Sequence, residues 1–136
     1  MSSPLVLGKI AAIERSVKRA REEFAAAGAD FRNDFTRQDA AILNILRGCE
    51  QSIDLANMLI RERKLGMPQS SRDSFKLLAD AKLIAPESSD RLQRMIGFRN
   101  IAVHQYQAID LAIVEAIVQR DLDDLLAFAR TIATLK

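Results

Sequence analysis

The chain has 136 residues, 49% of them apolar and 28% charged, with only 5 Gly and 3 Pro. That is enough apolar mass for one buried core, and too little turn-forming residue for a disordered chain or a many-stranded sheet. A net charge of +2 lacks the strong positive field of a dedicated DNA-binding domain, and one Cys with one His cannot build an internal disulfide or a Cys/His zinc site.

The first helix is expected over about residues 5–26, because Ile10, Ile13, Val17, Ala20 and Phe24 recur three and four apart. Gly28 offers the turn that closes it, with Phe31 and Phe35 expected to cover the end of the core. Thr36 reads as the cap of a second helix, with Asp39 three residues on near the positive end of its dipole. The stripe Ile42, Leu46, Cys49, Ile53, Ala56 and Ile60 carries that helix to about Lys64 and implies a buried thiol. Glu50 and Asp54, four apart on one face, read either as surface carboxylates or as polar groups lining a cleft near Arg99.

Gly66 and Pro68 break the pattern. Ser70 or Ser71 then caps a short helix carrying Phe75, Leu77 and Leu78, ending around Lys82. Leu83 and Ile84 turn inward before Pro86, a good first-turn residue. The next helix brings Leu92, Met95, Ile96 and either Ile101 or Val103 to the core. Asp110 caps a last helix with Leu111, Val114, Val118, Leu122, Leu125, Phe128 and Ile132 inward. The expected fold is all-α, an up-and-down bundle of four main helices plus a short one, forming a single domain over residues 1–136. No apolar run reaches the ~18 residues of a membrane span, and Met1-Ser2-Ser3-Pro4 does not open a signal peptide, so a cytoplasmic protein without membrane contact is expected. Basic residues cluster at Lys9, Arg15, Lys18, Arg19 and Arg21 and again at Arg61, Arg63 and Lys64. Each cluster reads as a solvated helix face or as a phosphate-tracking patch.

Chemistry concentrates in residues 97–106, Gly-Phe-Arg-Asn-Ile-Ala-Val-His-Gln-Tyr, which hold the one His and the one Tyr of the chain. No Gly-rich phosphate loop, nucleophile elbow or EF-hand loop accompanies them. A guanidinium presents a charged planar fork to phosphate oxygens, and an imidazole moves protons near neutral pH without a metal. Seven residues bring Arg99 and Tyr106 onto one helical face, and four bring Asn100 and His104 together. Arg99 and His104, however, lie about 140° apart on an unbroken helix. They share a site only if the helix loosens or if the groove is reached from two sides. Cleaving RNA through its own 2′-hydroxyl needs both a base and an acid, so one imidazole per chain implies a two-fold dimer.

Arg99, His104 and Tyr106 form R-x-x-x-x-H-x-Y, which resembles the signature of the HepT-like toxins of the HEPN superfamily. The resemblance extends to Asp34–Asn44 (D-F-T-x-Q-D-A-x-I-L-N), Cys49–Asn57 (C-E-x-x-I-D-L-A-N) and Gly66–Phe75 (G-M-P-Q-S-S-R-D-S-F). It implies a helical-bundle homodimer acting as a metal-independent endoribonuclease toxin, with no cofactor and an MntA-like minimal nucleotidyltransferase as antitoxin partner. By the same resemblance Arg99 holds the scissile phosphate, His104 is acid or base, Asn100 supports them, and Tyr106 accepts AMP from ATP. Two other classes stay open on the residues alone: a non-catalytic nucleotide- or substrate-binding partner of a nucleotidyltransferase, and an interaction bundle with no ligand.

Overall fold

A computed structural model describes residues 3–135. Helix α1 spans Pro4–Ala27. Ser3 caps it by accepting a hydrogen bond from the Val6 amide at 3.3 Å, and Pro4 sits where no amide donor is needed. Gly28, at φ +59°, closes α1 and opens a 3₁₀ turn over Gly28–Asn33. That turn buries Phe31 edge-on against Phe24, ring centroids 4.8 Å apart. Phe35 does not join it and is 72% exposed, because the cap of the next helix is Asp34 rather than Thr36. The Asp34 carboxylate accepts from the Arg37 amide at 3.1 Å, which puts Phe35 on the first, outward turn.

Helix α2 spans Phe35–Arg63, and its buried stripe is the expected one: Ile42, Cys49, Ile53, Ala56 and Ile60 are buried, with Leu46 partly so. It ends two residues before Gly66, at Lys64, which takes the left-handed conformation at φ 56°. The Cys49 thiol is pushed up to about 12, by burial first and then by the Glu50 charge, with Arg99 opposing. It therefore stays protonated at neutral pH.

Ser70 caps α3 (Ser71–Asp80), and α4 runs Pro86–His104 without interruption. Leu92, Met95, Ile96, Phe98 and Ala102 face the core, while Ile101 and Val103 are about half exposed. Neither takes the inward position expected from sequence, because successive helical residues lie 100° apart. With Ala102 inward, both neighbours must splay outward.

Asp110 caps α5 (Leu111–Ala116), which passes through a π turn at Ile117–Asp121 into α6 (Leu122–Thr134). Val114, Val118 and Leu122 are spaced by fours, a spacing that drifts round a regular helix. The wider π turn absorbs the drift, so all three stay buried together with Leu125, Phe128 and Ile132.

All four long helical segments contribute to one contiguous core. Gly48 marks the closest approach: a Cβ there would lie 3.0 Å from Leu125 Cδ1 and 3.7 Å from Ser16 Cβ, so α1, α2 and α6 meet at that point. Phe75 of α3 meets Phe128 of α6 edge-on at 5.3 Å and ties the short helix to the last one. Among the described residues no helix is long and apolar enough to cross a membrane.

Candidate active site

Helices α2 and α4 run antiparallel, since Arg99 pairs with Glu50 while the later Tyr106 pairs with the earlier Asp39. Arg99 donates through Nε to the Glu50 carboxylate and through Nη1 to Asn100 Oδ1 at 2.8 Å. Two of its three nitrogens are thus anchored, and the guanidinium plane is fixed with Nη2 left for an incoming oxygen. Its side chain is 22% exposed, enough to be reached and shielded enough to feel its carboxylate. Asp54, four residues beyond Glu50, does not join this set. Its carboxylate binds Lys9 of α1 at 3.0 Å.

His104 is the last residue of α4 and is exposed. Because α4 stays helical through it, Arg99 and His104 remain about 140° apart around the axis. The loosened-helix arrangement is absent, and within one chain the guanidinium and the imidazole open to different sides. Asn100 and His104 share a face, and the Asn100 side chain accepts from Arg99.

Tyr106 does not sit above Arg99 on one helical face, as seven-residue spacing suggested. The helix stops at His104, Gln105 is extended (φ −143°, ψ 64°), and Tyr106–Ala108 forms a 3₁₀ turn. The turn swings the phenol across to α2, where its hydroxyl donates to Asp39. Asp39, which sequence presents as a dipole-complementing charge near the start of α2, is drawn into the candidate site by this bond. Its register held the signal: Asp39 and Glu50 lie three turns apart on the same face of α2, about 16 Å along the axis. One face of α2 therefore holds the phenol at one end and the guanidinium at the other. Leu43 lies on α2 between these two carboxylates, 47% exposed, and Val103 is 52% exposed.

Partial burial, then the hydrogen bond to Asp39 and its charge, push the Tyr106 phenol up to about 12 from an ordinary value of 10.0. A raised folded value means the neutral phenol favours the fold. That contribution is complete below about 10 and is lost as pH rises through about 12. The chain has one Tyr and no Trp, so absorbance at the phenolate band titrates this one group. Asp39→Asn is expected to move the midpoint down toward 10.0; an unmoved midpoint would show that Asp39 does not govern the phenol.

Among the described residues no three His, Cys, Asp or Glu side chains gather as a metal site. The cavities of about 680, 560 and 500 Å³ are lined by other residues than Arg99, His104 and Tyr106.

The model of the ribonuclease HepT-like family matches residues 13–132. The chain belongs to that family. The ribonuclease HepT-like match spans Asp39, Glu50, Arg99, Asn100, His104 and Tyr106. The mRNA nuclease HepT of Shewanella oneidensis is 50% identical over 120 residues, covering 88% of this chain and 90% of that protein. The HepT-like fold is equally close to a solved structure of tri-AMPylated Shewanella oneidensis HEPN toxin in complex with MNT antitoxin. The TM-score is 0.93 at 46% identity, over 98% of this chain and all of that one. A crystal structure of a toxin–antitoxin with AMP-PNP matches with a TM-score of 0.91 at 46% identity, over 96% of this chain and 99% of that one.

Proposed function

We propose that this chain is the ribonuclease toxin of a toxin–antitoxin pair, a cytoplasmic HepT-like domain of residues 1–136 that works as a homodimer on RNA without a metal. The observation that carries the reading is the Arg99 fork anchored by Glu50 and Asn100, with an exposed His104 five residues on at the helix end. Arg99 Nη2 engages a non-bridging oxygen of the scissile phosphate and offsets the charge that grows there. One imidazole takes the proton of the RNA 2′-hydroxyl, whose oxygen attacks phosphorus. The other gives a proton to the departing 5′-oxygen. Two imidazoles require two chains, and the 140° between Arg99 and His104 suits a cleft reached from both sides of a two-fold axis. The half-exposed Ile101 and Val103 beside His104 are apolar surface that such a dimer would cover.

The similarity to a tri-AMPylated toxin held by its antitoxin supports a switch at Tyr106. Tyr106 Oη attacks the α-phosphorus of ATP within the nucleotidyltransferase partner and pyrophosphate leaves. Asp39, already hydrogen-bonded to that oxygen, takes the proton.

The test is incubation of the purified chain with single-stranded RNA in excess chelator. Cleavage with 2′,3′-cyclic phosphate ends is the expected result. RNA left intact with chelator but cut on adding a divalent ion overturns the metal-free mechanism, and RNA intact in both favours a non-catalytic binding subunit.

A further inference from the structure

On the other side of α2 from α4, a groove of about 560 Å³ runs between α1 and α2. Arg15, Lys18 and Arg19 line it from α1, and Asn44, Arg47 and Gln51 from α2. Its carboxylate is Glu22. Four cations against one anion exceed the net +2 of the entire chain, so the remaining residues together carry a slight negative excess even though Arg61, Arg63 and Lys64 form a second basic cluster.

Two readings were open for the α1 cations, a solvated face or a phosphate track, and their pairing separates them. Lys9 and Arg21, at the ends of the cluster, hold Asp54 and Asp123 at 3.0 and 2.7 Å. Among the described residues no carboxylate pairs with Arg15, Lys18 or Arg47, and Arg19 reaches Glu23 only at 3.8 Å. The cations that face the groove are thus the ones left without close partners. Unpaired like charges held together repel, a cost that a bound polyanion removes. Asn44 and Gln51 add amide groups on the same wall.

The groove also connects to the site. Arg47 and Glu50 are three apart on α2, about 60° around the axis and one turn along it. Glu50 anchors Arg99, so consecutive turns of one helix carry the groove wall and the Arg99 anchor.

We infer that this groove binds backbone phosphates of the RNA strand next to the scissile one, the strand leaving Arg99, crossing α2 at Arg47 and lying against Arg15 and Lys18 of α1. The inference rests on the ribonuclease reading and extends it from one phosphate to a track of them. Phosphate contacts position a strand without reading its sequence, so the track governs how tightly RNA is held and not how fast the bond breaks.

The experiment compares wild type, Arg15→Gln/Arg47→Gln and Arg130→Gln, a control that removes one exposed charge on α6. Thermal midpoints check folding, and the single variants serve if the double one melts early. The double variant is expected to raise KM for a single-stranded RNA about tenfold or more while kcat holds. Binding of the same RNA to the His104→Ala background should lose about 0.7 from the log–log salt slope per contact, about 1.4 for two. Arg47→Lys should restore most of the slope, since charge and not fork geometry dominates it. Unchanged KM and slope, or an equal effect from Arg130→Gln, overturns the inference. Wild-type RNA binding with weakened capture of the nucleotidyltransferase overturns it too, making the groove a protein contact. If wild type cuts no RNA, the ribonuclease reading fails on its own. The groove is then judged by binding alone: equal RNA affinity of wild type and the double variant overturns it.

Discussion

His104→Ala is expected to lower RNA cleavage by at least about a hundredfold, the usual contribution of a positioned acid or base. The fold should survive, because the side chain is exposed at the end of α4 and fills no part of the core. Thermal melts of the two proteins should coincide. Mixing the variant with wild type asks a sharper question. If one cleft uses an imidazole from each chain, only dimers of two wild-type chains cut. An equal mixture after subunit exchange then retains about a quarter of the activity, against about half if each chain works alone. A linear fall, or a His104→Ala protein within a few-fold of wild type, would overturn the two-imidazole mechanism.

The legibility of this chain divides along a physical line. Core stripes on long helices were readable because burial against a flat partner repeats at helical period; α2 and α6 follow theirs closely. Errors collected where one side chain decides a turn. Asp34 outcompeted Thr36 as a cap, a choice that depends on a local hydrogen bond that periodicity does not encode, whereas α2 ends at Lys64 as its stripe implied. The same limit shaped the site. Sequence singles out Arg99, Asn100 and His104 as candidates, and the structure places Glu50 against Arg99 while Asp54 turns to α1. Tyr106 was expected on the helix and lies beyond it, because α4 ends two residues earlier. No spacing rule announced the Asp39 bond, which joins residues 67 apart in the chain.

Tyr106→Phe is expected to leave RNA cleavage intact and to abolish silencing by the nucleotidyltransferase partner with ATP. Wild-type protein treated this way should gain mass in AMP-sized steps and stop cutting; the Phe variant should gain none and keep cutting. Removing one partly exposed hydroxyl bond costs only about 1 kcal/mol, too little to unfold the chain. On the proposed reading, the modification would act at a distance through the turn. An AMP ester deletes the proton that Tyr106 donates to Asp39 and sets a phosphodiester anion against that carboxylate. Attraction becomes repulsion, so the Tyr106–Ala108 turn no longer holds to the start of α2. His104 is only two residues before Tyr106, so the released nucleotide swings across the exposed imidazole, where its phosphate competes with RNA for cationic groups. Asp39→Lys offers a control on this mechanism. A lysine there would attract the ester and keep the turn docked, so modified Asp39→Lys protein should recover part of its cleavage. Equal silencing of both modified proteins would mean that nucleotide bulk alone blocks the cleft, and continued mass gain in Tyr106→Phe would put the acceptor elsewhere.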